Sequence, residues 1–228
     1  MTGRRTGFTL MEVVIAMSIT VVISLAVATV SVALGNLHEQ SQEYYEFLQT
    51  GRVAAGRLQA TLRGARLVTA ASSDSLVIWS ADVRDPGKIN LSEITAIYYD
   101  EATRTLIERH VVFPDTMEAD TVAALDITLA LSQVTDAKVA EGDLPLPQYD
   151  DRRVLAANVL AFDVYCDPAP PLSRLVKFRL TVGKGDKTVR TCGGAALRAD
   201  KTSYVGFADG QAVLTIPVEH LSQDATGG

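Results

Sequence analysis

From Val13 to Leu34 the chain carries no Asp, Glu, Lys, Arg or Pro, and after Leu34 polar residues return in a spacing that leaves one side apolar. At about 1.5 Å per helical residue, the charge-free run reaches about 33 Å, enough to cross the hydrocarbon core of a bilayer. It predicts a membrane-spanning helix. Beyond it Leu37, Tyr44, Leu48, Gly51, Ala55, Leu58, Leu62 and Ala65 recur at steps of three, four or seven, which predicts an amphipathic continuation to about residue 66. Between them Glu39, Glu43, Glu46, Arg52, Arg57 and Arg63 can face water. The alternative is an anchor, a flexible break near Gly35-Asn36 and a separate surface helix.

From Ser75 the period changes to two. Leu76–Ser80 reads as a strand, and 93–99 with 105–111 as a hairpin over the polar link Asp100–Arg104. Residues 113–124 read as a loop and 125–131 as a half-buried strand, with a short helix as the alternative. Residues 136–153, with Gly142, Pro145, Pro147 and the acids Glu141, Asp143, Asp150 and Asp151, read as an exposed connection. Residues 159–166, 175–182 and 188–192 form an antiparallel meander, with a rigid turn at Asp167–Pro171 and another at Gly183–Asp186. Residues 193–209 read as irregular, 211–218 as a last strand, and the polar end as disordered. The fold class is α+β, a long N-terminal helix whose outer half lies on an antiparallel sheet. Its parts are a basic leader (1–7), a membrane helix (8–34), the helical continuation (35–66), a β domain (67–220) and a tail (221–228).

A chain of 228 residues has room for one such helix and one domain of ordinary size. A net charge of −6 argues against general nucleic-acid binding, which calls for a basic face. Cys166 and Cys192 are candidates for a disulfide if the domain lies outside the cytoplasm, with two free thiols as the alternative.

Arg4 and Arg5 precede the apolar run, and the positive-inside bias keeps such a leader in the cytoplasm and sends the rest outward. An ordinary secretory signal fits poorly. The run is too long, no A-x-A cleavage site ends it, and Glu12 sits at its start. A carboxylate near a bilayer is costly, so Glu12 calls for a cation unless it lies hydrated in the headgroup layer.

The run Arg4-Arg5-Thr6-Gly7-Phe8-Thr9-Leu10-Met11-Glu12-Val13 resembles the leader and mature start of type IV pilins and type II secretion pseudopilins. The resemblance implies cleavage by a prepilin peptidase between Gly7 and Phe8 and N-methylation of Phe8. It also implies pairing of Glu12 with the positive N-terminus of a neighbouring subunit. Further partners would be other pilin or pseudopilin subunits and an inner-membrane assembly platform. The chain would be a single-pass inner-membrane protein with its domain in the periplasm until it enters a filament as a minor, priming or capping subunit. A weaker resemblance, to minor pseudopilins of the J type and their W-type pilin counterparts, rests on the Tyr98-Tyr99-Asp100 hairpin, Leu106–Arg109, Asn158-Val159, Phe162, Tyr165 and Leu172–Leu180.

Catalytic signatures are missing: no G-x-S-x-G, H-E-x-x-H, P-loop or C-x-x-C occurs. No cofactor is expected. His38, His110 and His220 are scattered and read as surface residues. The acids Asp115, Glu118 and Asp120, and Glu141, Asp143, Asp150 and Asp151, lack regular calcium-loop spacing and read as solvated charge. Tyr44, Tyr45, Trp79, Tyr98 and Tyr99 are expected where helix meets sheet. An uncleaved membrane-anchored adhesin or receptor domain, and less readily an anchored enzyme, share the same anchor.

Overall fold

The computed structural model describes residues 9–80, 88–134, 149–197 and 205–214. One helix, α1 (Leu10–Gly64), runs without a break through Gly35 and Asn36. It contains no proline, so nothing removes a backbone donor or forces a kink. The chain divides into two compact units, Met1–Glu46 and Phe47–Gly228.

Among the described residues the first unit consists of Thr9 and α1 from Leu10 to Glu46. Its apolar side chains are open all round, from Leu10 at 85% exposed to Leu34 at 60%. A helix that is apolar on every side belongs in lipid or among other helices.

The second unit begins with the last turns of α1 and continues through β1 (Leu67–Ala71), β2 (Ser75–Trp79), β3 (Ile89–Asn90), a 3-10 turn at Leu91–Glu93, β4 (Ile94–Asp100) and β5 (Thr105–Val111). Two short helices, α2 (Ala119–Leu125) and α3 (Leu131–Val134), flank β6 (Thr128–Leu129). Then follow β7 (Asp150–Ala156), β8 (Val159–Asp167), β9 (Leu175–Lys184), β10 (Lys187–Ala196), β11 (Val205–Ala208) and β12 (Gln211–Leu214). The main sheet has the order β1-β2-β4-β5-β7, and a second has the order β10-β9-β8. The pairs β3-β6 and β11-β12 complete the described strands, and every pairing is antiparallel.

Phe47, Ala54, Ala55, Leu58 and Leu62 of α1 pack on one face of the sheets, against Leu76, Ile78 and Ile97 of the first and Phe178 and Leu180 of the second. They keep the three-and-four spacing that places side chains on one helical stripe. The other face of the main sheet carries Val77, Trp79 and Ile94, covered by Ile89, Leu131 and Val134. All five residues of β2 are therefore buried, which explains an apolar run that does not alternate strictly. The second sheet needs close approach at Gly193, where any side chain would collide with the Phe178 ring. At the β4–β5 turn Asp100 accepts from the Ala102 N–H at 3.0 Å and the Thr103 hydroxyl at 2.8 Å, and Arg104 takes a φ of 53°.

Several expectations need correction. β1 follows α1 almost at once, and β7 occupies residues read as the end of an exposed connection. Its Asp150-Asp151-Arg152-Arg153 hides the strand because charge masks the alternation that pairing with β5 imposes. In the stretch 125–131 the strand is limited to Thr128–Leu129, between the end of α2 and the start of α3, and α2 lies in the expected loop. β10 and β11 occupy much of the stretch read as irregular. Trp79 lies in the cluster on the sheet face away from α1, and Tyr44 and Tyr45 are exposed, so of the five aromatic residues Tyr99 is the one packed against the helix-facing core.

Cys166 and Cys192 are both free thiols. Across β9, Cys166 pairs with Val176 and Cys192 with Arg179, positions of opposite parity, so the two thiols point to opposite faces and no bond joins them.

Candidate functional site

The N-terminus of α1 is built from Thr9 and Glu12. Thr9 stands just before the first helical residue, where its hydroxyl accepts the Glu12 N–H at 3.3 Å. The Glu12 Oε2 accepts in return from the Thr9 N–H at 2.9 Å and from the Thr9 hydroxyl at 3.0 Å. This reciprocal arrangement satisfies two backbone donors that the helix cannot satisfy itself and sets a negative charge at the positive end of its dipole. It needs only atoms of Thr9 and Glu12, so a cut at the preceding Gly7–Phe8 bond leaves its members intact. The signal was present in the sequence as Thr9-x-x-Glu12 ahead of an apolar run, the pattern of a capping box.

Glu12 also heads a row at four-residue spacing, Glu12, Ala16, Thr20, Ser24 and Ala28, which lines an open, mostly apolar groove along α1. Small side chains there let another helix approach closely. The hydroxyls of Ser18, Thr20, Thr29 and Ser31 donate to carbonyls three or four residues back, each at 2.8 Å. Those polar groups are satisfied inside the helix, which hydrocarbon requires. The most apolar eighteen-residue window of α1 has a mean hydropathy of 2.6, and none of it is buried.

Arg4, Arg5, Gly7 and Phe8 lie outside the described residues, as do Glu141, Asp143 and His220. The Gln42 amide Nε2 donates to His38 Nε2 at 2.9 Å on the exposed helix, and His110 lies 3.6 Å from Asp151. Among the described residues no three His, Cys, Asp or Glu side chains gather as a metal site would require.

The charged groups that sequence reasoning missed are buried in the domain. Asp150, placed by sequence in a solvated loop, is 4% exposed and bonds Arg109 Nε at 2.5 Å and Arg152 Nε at 2.6 Å. Burial alone would push its carboxyl up, but the two guanidinium hydrogen bonds outweigh burial and hold it below the usual carboxylate range. Glu93 accepts from the Trp79 indole N–H and the Asn90 N–H, both at 3.2 Å. Asp126 accepts from the Ser92 backbone and hydroxyl at 2.9 and 2.7 Å. These contacts tie loops to the sheet. The one signal for Arg109 was its alternation with Ile107 and Val111 on a single strand face.

A family model described as the prokaryotic N-terminal methylation motif matches residues 3–28. The match takes in the basic leader, the Gly7–Phe8 bond, Glu12 and most of the charge-free run, so at its start the chain is similar to pilin- and pseudopilin-type proteins. The motif implies processing by a prepilin peptidase and assembly of the pilin type. No curated protein and no solved structure matches the chain.

Proposed function

We propose that the chain is a minor pilin or pseudopilin, a structural subunit that primes or caps a filament. The observation that carries this reading is a methylation motif at residues 3–28 that runs into an unbroken fifty-five-residue helix whose apolar first part is uncovered. Held in the inner membrane by that helix, the subunit keeps Arg4 and Arg5 in the cytoplasm and its β domain in the periplasm. A prepilin peptidase cuts between Gly7 and Phe8, where the side-chain-free glycine gives close access to the backbone, and the new Phe8 amine is methylated.

Glu12 then has two tasks. Within its own chain it closes the first turn of α1 with Thr9; within the filament it meets the ammonium of a neighbouring Phe8. In a low-dielectric bundle each of those charges needs the other. The row of small residues below Glu12 supports close packing among helices, while the domain remains at the filament surface. The work of the protein is assembly rather than catalysis, with the assembly platform and other subunits as partners. The order of hairpin, β8, proline turn and β9 supports a J-type or W-type minor member.

Mass spectrometry of the mature N-terminus tests this. The expected species begins at N-methylated Phe8. A chain still beginning at Met1 in cells that carry the peptidase overturns the reading and leaves an uncleaved anchored adhesin or receptor domain.

A further inference from the structure

The exposed side of α1 from Phe47 to Gly64 is basic in an otherwise acidic protein. This stretch contains Arg52, Arg57 and Arg63 and no Asp or Glu. All three arginines are exposed, and none forms an ion pair or hydrogen bond among the described residues. By helical spacing Arg52 and Arg63 fall on one flank of the exposed side, about three turns apart, and Arg57 falls on the other flank. Between the flanks run Val53, 43% exposed, and Gly56 and Gly64, where an added side chain would meet no atom within 4 Å. Glycine weakens a helix relative to alanine, and no contact among the described residues accounts for these two. The opposite side of the same stretch is committed to the core through Ala54, Leu58 and Leu62. Charge and contour together describe a shallow seat for an acidic helix.

The chain itself contains such a helix. From Leu34 to Glu46 there is no Lys or Arg, and Glu39, Glu43 and Glu46 recur at steps of four and three, the spacing of one helical face. All three are exposed. We infer that the arginine-flanked side of residues 47–64 receives the Glu39–Glu46 segment of a second copy of this chain, the two helices running parallel and staggered by about thirteen residues, about 20 Å, as successive subunits along a filament axis can be. The inference rests on the filament-subunit reading and names one of the contacts through which copies meet. The contact is heterologous, so each copy offers both an acidic segment and a basic seat and the association can propagate.

Full-length chains, labelled at the exposed Cys192 in a Cys166→Ser background and held in zwitterionic detergent micelles, which do not fix the depth of one helix against another as a bilayer does, report association by energy transfer. One variant carries Arg52→Glu, Arg57→Glu and Arg63→Glu; the other carries Glu39→Arg, Glu43→Arg and Glu46→Arg. Both are first shown to melt as the wild type does. The wild type is expected to associate at low salt and to dissociate as salt is raised to about 0.5 M, because surface charges are screened. Each variant alone is expected to associate about tenfold more weakly, and an equal mixture of the two to regain transfer, since the reversed segment now fits the reversed seat. Variants that associate like the wild type, or a mixture that stays apart, overturn the inference. Unchanged association with a lost affinity for anionic vesicles overturns it too and assigns the arginines to lipid headgroups. Processing of each chain is scored separately: a chain that is cut but fails the mixing test removes this inference alone, whereas an uncut chain removes the reading beneath it.

Discussion

Leu25 and Leu58 lie on one helix, yet Leu25 is 68% exposed and Leu58 is 1% exposed. From Leu10 to Leu34 the apolar residues of α1 lie on every side and are exposed; from Phe47 onward a stripe of them closes on a sheet. Burying a side chain of this kind contributes about 1.5 to 3 kcal/mol, so the second stretch belongs to the stability of its own domain. The first stretch gains that energy only from lipid or from other helices. The same element is thus a foundation in one region and an unfinished interface in the other, and the polar groups follow suit. Glu12 is satisfied locally by Thr9 at the open end, whereas Asp150 is held by the buried Arg109 and the exposed Arg152.

That contrast can be broken most severely at Glu12. Glu12→Val is expected to insert and be cut normally but to enter filaments at least about tenfold less, since removing one partner of a desolvated pair costs on the order of 3 to 5 kcal/mol. The fraction recovered in sheared filaments measures it, and normal recovery would sink the pairing role.

In the domain, Asp150→Ala strands Arg109 at 2% exposure and is expected to lower unfolding stability by about 3 to 5 kcal/mol in urea titrations, with no effect on N-terminal processing. The same carboxyl sets an acid limit. Its folded pKa is depressed, so its contribution is complete above the ordinary carboxylate value and is lost as pH falls through the folded one. Stability should decline below about pH 4, and Asp150→Asn should flatten that decline.

Leu58→Ala should cost about 2 to 5 kcal/mol in the domain through the cavity it opens. Leu25→Ala should leave domain stability within about 0.5 kcal/mol of the wild type. Equal effects at the two leucines would erase the distinction between the regions. The smallest change is expected at the exposed pair Arg179–Asp163, 2.9 Å apart, where Asp163→Ala should cost no more than about 1 kcal/mol and less in high salt.

The sequence by itself determined the features written in local periodicity. The charge-free run, its amphipathic continuation, the β4–β5 hairpin and the β8–β9–β10 meander follow from spacings of 3.6 and 2, and Thr9-x-x-Glu12 prescribes its own cap. Tertiary structure alone decided which face each strand residue meets and which distant charge answers which. Trp79 turned away from α1 because both faces of β2 are covered, and Asp150 became a buried partner because Arg109, forty-one positions earlier, lies on the adjoining strand. Cys166 and Cys192 remained apart because strand register sets them on opposite faces. Local patterns encode which elements form, since backbone geometry fixes their periods; register and burial emerge only when those elements pack, and no single stretch of chain carries that information.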